Sequence, residues 1–413
     1  MVTLAVMVVV TAVVTFGLSF VVLRIGLKYK LYPAIRDRDV HTRPTPRLGG
    51  VAMFCGVLVA MLVAWQLPFF HVVFANPTPV IAILGAAFIT VLVGVADDLW
   101  DLDWMIKLAA QILVAGLVAW QGVQILSLPI GGLTVTSPYI SLIITILAIV
   151  LVMNAVNFID GLDGLVAGVA IIANGVFLVY SYLLARLTSP SNYFNLASLI
   201  AAVVVGACVG FLPFNWHRAR MFMGDAGSML VGLLMATSAI AVTGQVDPAE
   251  LGRSQLLPAF VPILLPFAIL LLPLTDFALA VIRRLAAGKS PFSADRLHLH
   301  HRLLDMGHGH VMAVLVFYAW TAVVSVGLLL FFVIKPAWIA ALILVIGIAG
   351  CVFLTFFPLG QREFEQAAIA SWRVLRKPVD AVYTASVRMT RGRRSDSTKS
   401  ARPPHTTRKR NSS

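Results

Sequence analysis

Long apolar runs separated by short polar segments make up most of the chain. A helix crosses the hydrocarbon core of a bilayer with about 20 mainly apolar residues, and eleven runs approach or reach that length. These runs lie at residues 2–23, 49–67, 79–96, 105–121, 139–154, 164–185, 196–214, 228–243, 258–282, 311–334 and 336–357. The pattern predicts an all-α polytopic integral membrane protein with about 11 transmembrane helices.

The composition supports this class of protein. Hydrophobic residues make up 60% of the 413 residues and charged residues only 12%, whereas soluble domains are nearer half apolar and a quarter charged. The net charge of +13 does not by itself indicate nucleic-acid binding, because the basic residues follow the membrane topology. We therefore expect membrane lipid, and no nucleic acid, among the partners.

The lysines and arginines fall almost entirely on one side of the predicted helices. Cytoplasmic segments of membrane proteins are enriched in these residues, and 28 of the 31 follow odd-numbered runs or belong to the C-terminal tail. The asymmetry predicts that the N-terminus lies outside and the C-terminus in the cytoplasm. The predicted cytoplasmic loops are residues 24–48, 97–107, 154–164, 215–227 and 283–310.

Two parts of the chain differ in composition. Residues 1–357 hold all the apolar runs and all the predicted cytoplasmic loops. Residues 358–413 are basic and end in a stretch rich in Ser, Thr and Arg, which is typical of disordered segments near anionic lipid headgroups. The sequence therefore predicts a transmembrane domain, which carries the candidate chemistry, followed by a disordered cytoplasmic tail.

Several aspartates fall on the same predicted face as the basic residues. Asp97 and Asp98 are adjacent, and the first basic residue after them is Lys107. Adjacent carboxylates repel each other unless a cation lies close to them. The cluster indicates a divalent-metal site, with a solvated loop as the alternative. Lys107 suits either contact with lipid headgroups or a bound phosphate.

The stretch NAVNFIDGLDGL joins two membrane-length runs and carries polar side chains at three-residue spacing. On an unbroken helix each such step turns the side chain by about 60° backward, so the polar groups could not all face one site. Gly161 and Gly164 supply a break. We therefore expect two asparagines at the end of one helix and two aspartates in a turn that opens the next, where the second aspartate could instead be an N-cap. These residues are Asn154, Asn157, Asp160 and Asp163.

A glycine-rich turn, FMGDAGS, precedes another apolar run. Gly224 and Gly227 flank Asp225, and a glycine-rich turn at a helix N-terminus can bind an anion. Asp225 beside such a site would hold a cation that bridges to a phosphate. Phe222 is placed to stack on a base.

Two basic loops carry further candidates. Arg43 and Arg47 lie in HTRPTPRLGG, a rigid turn in which they suit a phosphate or lipid headgroups equally well. The loop SADRLHLHHR combines imidazoles with arginines, which fit a pyrophosphate better than zinc. A polar amphipathic loop helix is the alternative. The candidate residues of this second loop are His298, His300, His301 and Arg302.

Five motifs occur together and in order. They are PTPRLGG, DDLWDLDWMIK, NAVNFIDGLDGL, FMGDAGS and ADRLHLHH. In this the chain resembles, over nearly all of residues 1–357, the polyprenyl-phosphate N-acetylhexosamine-1-phosphate transferase family, which moves a sugar 1-phosphate from a UDP-sugar to a lipid phosphate. The spacing His-Leu-His-His is similar to the branch that uses UDP-N-acetylglucosamine, because the MurNAc-pentapeptide branch carries three consecutive histidines.

The resemblance implies roles for these residues. Asp225 and Asn157 would hold Mg²⁺, or Mn²⁺ in its place, while Asp163 would contact the uracil and Phe222 would stack on it. The aspartate pair and the later lysine would lie by the lipid phosphate, and the histidine loop would close over the sugar and pyrophosphate. The catalytic candidates are Asp97, Asp98, Asp160 and His298. The substrate-binding candidates are Lys107, Asn154, Asp163, Phe222, Arg43, Arg47, His300, His301 and Arg302.

The function that the resemblance implies is transfer of N-acetylglucosamine 1-phosphate from UDP-N-acetylglucosamine to a C50 or C55 polyprenyl phosphate. This is the first membrane step of an arabinogalactan linker, an O-antigen or a teichoic acid. Such an enzyme lies in the inner (plasma) membrane with its active site in the cytoplasm, and a homodimer is one option for its assembly. The alternatives are the phospho-MurNAc-pentapeptide transferase of peptidoglycan synthesis and a nucleotide-sugar transporter. A transporter needs polar residues at the membrane midplane, and only Asp276 is a strong candidate.

Overall fold

The structure, a computed structural model, is built from α-helices. It describes residues 1–32, 45–125, 137–188, 192–243, 303–357 and 361–400, with four residues between 282 and 288. The helices are α1 (Val2–Lys28), α2 (Gly49–Gln66), α3 (His71–Ala75), α4 (Thr78–Trp100), α5 (Trp104–Trp120), α6 (Pro138–Ile159), α7 (Leu165–Thr188), α8 (Asn192–Asn215), α9 (Gly224–Thr243), α10 (His310–Val333), α11 (Ala337–Phe356) and α12 (Gln361–Ser400), with a 3-10 turn at Pro68–Phe70. No strand occurs in these described ranges.

Most of the predicted membrane spans are helices. Within the described ranges, nine helices are long and apolar enough to cross a membrane, and α5 is shorter at 17 residues. Ten of the eleven predicted runs therefore coincide with helices, which confirms an all-α polytopic membrane protein. The run at 258–282 lies outside the described residues apart from Ile282, and the orientation in the membrane stays a prediction.

Helices α8 and α9 form the centre of the bundle. In their apolar windows 89% and 94% of the residues are buried, against 11% in α11. Helix α8 packs against α1 and α7, and α9 packs against α4 and α6. Helix α9 begins at the FMGDAGS turn. The N-terminus of the most enclosed helix in the described bundle therefore lies at a group of predicted site residues.

Glycines allow two neighbouring helices to touch the first turn of α9. A Cβ added to Gly50 of α2 would overlap the backbone of Gly227, and a Cβ added to Gly94 of α4 would overlap the backbone of Ala226. Small residues at helix contacts permit this close approach of backbones. The end of α4 is thereby held against the start of α9.

The predicted loop 97–107 is shorter in the structure. Helix α4 continues through Asp97 and Asp98, so that only residues 101–103 separate it from α5. Asp101 ends α4 with a left-handed φ of 55°, and Asp103 caps α5 by accepting a 2.8 Å hydrogen bond from a backbone amide two residues later. The aspartate pair thus lies on the last turn of a helix, which fixes its orientation.

Residues 361–400 of the tail form helix α12, where the composition predicts disorder. Apolar side chains recur along this helix at helical spacing, and they include Ile369, Trp372, Val379 and Tyr383. This face packs against α1, α8 and α10. Burial of the apolar face explains why a segment of basic average composition is helical here. Residues 401–413 lie outside the described part of the chain.

Candidate active site

Five segments meet at one end of the bundle and enclose a cavity of about 250 Å³. They are the loop before α2, the end of α4, the turn between α6 and α7, the end of α8 and the turn before α9. Six residues predicted from the sequence meet at this cavity. Its lining residues are Arg47, Asp98, Asp160, Gly161, Leu162, Asp163, Asn215, Phe222, Gly224 and Asp225.

Backbone hydrogen bonds join the loop before α2 to the turn before α9. The amide of Phe222 donates to the carbonyl of Pro46 at 2.9 Å, and the amides of Gly49 and Gly50 donate to the carbonyls of Phe222 and Met223 at 3.1 Å each. The motifs PTPRLGG and FMGDAGS are therefore two halves of one structure. Their pairing places Phe222 and Arg47 on the same cavity wall.

The glycine at the start of α9 is required by its surroundings. Gly224 has a φ of +70°, a conformation that glycine adopts readily and other residues do not. A Cβ at this position would also overlap the carboxylate of Asp98. Absence of a side chain lets Asp98 approach the amides that begin α9.

The carboxylate of Asp98 occupies the N-terminus of α9. Its Oδ1 accepts a hydrogen bond from the amide of Asp225 at 3.3 Å, and its Oδ2 accepts one from the amide of Ala226 at 3.4 Å. The first amides of a helix have no partner within the helix, and the helix dipole favours an anion there. We expected a phosphate at this turn, but these two amides are used by a side chain of the protein.

Lys107 bridges two carboxylates from different helices. Its Nζ lies 3.0 Å from Oδ2 of Asp97 and 3.3 Å from Oδ2 of Asp225. The other oxygen of Asp97 accepts a 2.9 Å hydrogen bond from the amide of Leu102. An ammonium between two carboxylates stabilises both charges. One lysine therefore ties α4, α5 and α9 together beside the cavity.

The two asparagines of α6 have different surroundings. Nδ2 of Asn157 donates to Oγ of Ser228 at 2.9 Å, and its side chain is also within hydrogen-bonding reach of Asp225. Nδ2 of Asn154 instead donates to Oε1 of Gln111 at 2.6 Å, and Asn154 does not line the cavity. Asn157 thus joins the predicted metal ligand, whereas Asn154 joins α5 to α6.

The turn between α6 and α7 has the predicted break. Helix α6 ends at Ile159 and α7 begins at Leu165, with Gly164 at a φ of +79°. The amide of Gly164 donates to Oδ1 of Asn215 at 3.0 Å, and its carbonyl accepts a hydrogen bond from the hydroxyl of Tyr318. The end of α8 and Tyr318 of α10 thereby fix the turn that carries both aspartates.

Asp163 is held by the segment that follows α8. Its Oδ2 lies 3.2 Å from Nδ1 of His217 and accepts a 3.1 Å hydrogen bond from the amide of Ala219. The side chain of Asp163 is 9% exposed. Asp163 therefore reaches the cavity from a fixed position.

Burial, together with the charges around the cavity, raises the pKa of Asp160 to about 7. Burial is the largest cause, the carboxylates of Asp225 and Asp163 add to it, and the Arg47 cation opposes it. The raised pKa therefore reflects mainly the burial of this carboxyl group, and repulsion from the neighbouring carboxylates adds to it. A cation bound beside these carboxylates would lower this pKa.

The donor set suits a cation that is completed by its substrate. No three His, Cys, Asp or Glu side chains among the described residues form a metal cluster by themselves. Asp225 and Asn157 offer oxygen atoms, and Mg²⁺ is commonly bound by one or two carboxylates together with substrate phosphates. The residues present therefore fit Mg²⁺ shared with a phosphate ligand better than a metal held by protein alone.

Some predicted residues cannot be placed. Arg43, Asp276, His298, His300, His301 and Arg302 lie outside the described residues. Their roles stay predictions.

The sequence reasoning missed several supporting residues, which are Gln111, Asn215, His217 and Tyr318. Each is a polar residue inside an apolar run or within three residues of its end. Polar side chains inside membrane helices usually pair within the bundle. That rule could have drawn attention to Gln111 and Tyr318.

The fold and the site define an all-α integral membrane protein with an acidic pocket at one end of its bundle. Residues 80–243 match the family described as glycosyl transferase family 4. The chain belongs to this family, since its relatives match over most of both chains.

Three relatives show the extent of the similarity. The decaprenyl-phosphate N-acetylglucosaminephosphotransferase of Mycolicibacterium smegmatis is 38% identical over 355 residues, covering 85% of this chain and 87% of that protein. The protein of the same name from Mycobacterium tuberculosis is 37% identical, covering 80% and 82%. The undecaprenyl-phosphate alpha-N-acetylglucosaminyl 1-phosphate transferase of Pasteurella multocida is 32% identical, covering 69% and 73%.

Proposed function

We propose that the protein transfers N-acetylglucosamine 1-phosphate from UDP-N-acetylglucosamine to a polyprenyl phosphate. The products are polyprenyl-diphospho-N-acetylglucosamine and UMP. The observation that carries the proposal is the cavity in which Asp98, Asp160, Asp163, Phe222 and Asp225 meet. The names of the relatives, which are N-acetylglucosamine phosphotransferases acting on decaprenyl or undecaprenyl phosphate, support the same reaction.

The reaction requires two anions to meet. An oxygen of the lipid phosphate attacks the phosphorus that carries the sugar, and a new P–O bond forms. The bond from that phosphorus to the oxygen bridging it to the uridine-linked phosphate breaks, and UMP leaves with the electron pair. A phosphate monoester has a second pKa of about 6, so the nucleophile is already largely ionised at neutral pH. A strong general base is therefore unnecessary.

Asp225 and Asn157 are the residues that would hold Mg²⁺, with Mn²⁺ as the alternative ion. When bound, the ion would neutralise charge on the pyrophosphate and on the departing UMP. Asp225 lies in the first turn of α9, and Asn157 is fixed beside it by Ser228. Both oxygen donors therefore sit on rigid helices, which is the condition for a well-positioned ligand pair.

The lipid end of the site is proposed to be Lys107 with the aspartate pair. Lys107 lies between Asp97 and Asp225, so it can hold a phosphate oxygen next to the reacting pyrophosphate. Asp98 holds the first amides of α9. We assign Asp97 and Asp98 the task of orienting Lys107 and Asp225 rather than removing a proton.

The nucleotide end of the site is proposed to be Asp163 with Phe222. Both line the cavity, where a carboxylate can accept from the uracil and an aromatic ring can stack on it. The histidine loop at 298–302 is proposed to close over the sugar. The active site is proposed to face the cytoplasm of the inner membrane, so that the UDP-sugar arrives from water and the lipid enters between helices.

Release of UMP from UDP-N-acetylglucosamine tests the function. Purified full-length protein with Mg²⁺ should release UMP only when a polyprenyl phosphate is present. Asp225→Asn should lower release by about 1,000-fold, whereas Asp101→Asn should not, because Asp101 is exposed and asparagine tolerates its left-handed conformation. Absence of UMP release with both C50 and C55 polyprenyl phosphate would contradict the proposal. Turnover of UDP-MurNAc-pentapeptide instead would move the chain to the peptidoglycan reaction.

A further inference from the structure

We infer that Arg376 positions the nucleotide end of the site, although it lies in α12, well beyond the residues 80–243 that match the family. Arg376 acts through residues 216–220, the segment between α8 and α9 that holds Asp163. The inference rests on the proposed function, because it assigns α12 to the binding of the UDP-sugar.

The guanidinium of Arg376 binds three successive backbone carbonyls. Nη1 donates to the carbonyls of His217 at 2.6 Å and Trp216 at 3.3 Å, and Nη2 donates to the carbonyl of Arg218 at 2.7 Å. The Arg376 side chain is only 9% exposed. The planar fork of arginine can hold several acceptors in a fixed arrangement, which a lysine ammonium cannot do. Arg376 therefore fixes the backbone path of these residues.

The turns of α12 before and after Arg376 also contact residues 216–220. Asp380 accepts from Nε of Arg220 at 2.7 Å and from Nη2 of Arg376 at 3.4 Å. The ring of Trp372 stacks on Trp216, with centroids 4.8 Å apart and an interplanar angle of 19°. The segment is thus held at its start, middle and end by three successive turns of one helix.

The opposite side of the segment holds Asp163. The amide of Ala219 donates to Oδ2 of Asp163 at 3.1 Å, and the carbonyl of Arg218 accepts from Arg376 at 2.7 Å. This carbonyl and this amide belong to one planar peptide group. A single peptide unit therefore connects the guanidinium to the carboxylate, and each hydrogen bond polarises the other. Loss of Arg376 frees the peptide group that aims Asp163.

A purely structural role for α12 makes a different prediction. Its apolar face covers α1, α8 and α10, so a helix that only covered the bundle would affect both substrates alike. A positioning role through Asp163 affects nucleotide binding and leaves lipid binding unchanged. The two roles therefore separate in the affinity for UMP and in the KM for polyprenyl phosphate.

The test measures both quantities in the full-length protein. Arg376→Gln should weaken UMP binding by calorimetry about tenfold, equivalent to one lost interaction of about 1.4 kcal/mol, while the KM for polyprenyl phosphate stays within about twofold. Arg373→Gln is the matched control. Arg373 is exposed and lines the same cavity as Arg376 but makes none of the three carbonyl contacts. Its UMP affinity should equal that of the wild type.

A double-mutant cycle tests the route through Asp163. In an Asp163→Asn background, Arg376→Gln should change UMP affinity less than about twofold, because the two substitutions remove the same interaction. Full additivity of the two losses would overturn the route. Arg376→Lys keeps the charge without the fork, so it should remain folded and show a similar loss if Arg376→Gln does not fold.

The outcomes separate this inference from the proposed function. Unchanged UMP affinity in a folded Arg376 variant, or equal losses for UMP and lipid, would overturn the positioning role. Failure of the wild-type protein to bind or release UMP would instead overturn the proposed function.

Discussion

The two ends of the site are built in different ways. At the proposed lipid end, side chains on three helices of the bundle contact each other directly, with Lys107 between Asp97 and Asp225. At the proposed nucleotide end, Asp163 is held by a segment outside the helices, which α12 holds in turn. The first end is fixed by helix packing, and the second depends on a distant part of the chain. Each end should therefore fail separately.

Asp225→Asn should have the largest effect, because Asp225 contacts Lys107 and lies next to Asn157. The substitution removes the charge that a cation needs and should lower UMP release by about 1,000-fold. Measurement of turnover at saturating Mg²⁺ checks this expectation. A loss of less than tenfold would contradict the assignment of Asp225 to holding the cation.

Lys107→Gln should damage the lipid end alone. Removal of the ammonium leaves Asp97 and Asp225 repelling each other and removes a partner for the lipid phosphate, so turnover should fall about 100-fold. The affinity for UMP should change less than about twofold. An equal loss of UMP affinity would mean that the two ends cannot be separated.

Gly94→Ala should disturb the lipid end without touching any charged group. The added Cβ overlaps the backbone of Ala226, and such overpacking costs about 1–3 kcal/mol. Turnover should fall about tenfold, and the thermal midpoint should drop. Gly85→Ala on the same helix is the control, since the atom nearest to its Cβ would be 4.0 Å away. A wild-type rate for Gly94→Ala would show that α4 can move freely from α9.

Asp163→Asn should weaken the nucleotide end alone. Asparagine keeps the size of the side chain but loses the charge that His217 and Ala219 support. The affinity for UMP should fall about tenfold, and the KM for polyprenyl phosphate should hold. A larger effect on the lipid than on UMP would reverse our assignment of the ends.

A pH change should have the smallest effect and should act through Asp160. Its pKa is raised to about 7, so the carboxylate gains a proton as the pH falls through this value and the cavity loses negative charge. The apparent affinity for Mg²⁺ should fall about fivefold between pH 7 and pH 6. Asp160→Asn should reduce this dependence, although other carboxyl groups of the cavity remain, and binding titrations at both pH values would measure the reduction.

Helices in the bundle could be predicted because their signal is local. Ten apolar runs, such as the one that became α9, carry the length and composition of a span within themselves. The break at Gly164 was likewise readable, since four polar residues at three-residue spacing cannot share one helix face. The aspartates could be chosen by residue type, because carboxylates on a membrane protein suggest a cation.

The hydrogen-bond partners of these residues could not be predicted, because the spacing of residues along the chain does not determine which helices contact each other. Asp98 binds amides of α9 that are 127 and 128 residues away in the chain, and Asn154 turned to Gln111 rather than to the cavity. The tail was misread for another reason. Its average composition is polar, and an average does not show that the apolar residues of α12 recur at helical spacing.

The absent side chains of Gly50 and Gly94 limit how this family member can change. Every other amino acid carries a Cβ, and at these two positions that atom would enter the main chain at the start of α9. A single substitution at either position would therefore shift the start of α9 and move the aspartates. Variation in such a protein is expected to gather in the exposed helix α11, while the meeting point of α2, α4 and α9 should vary little.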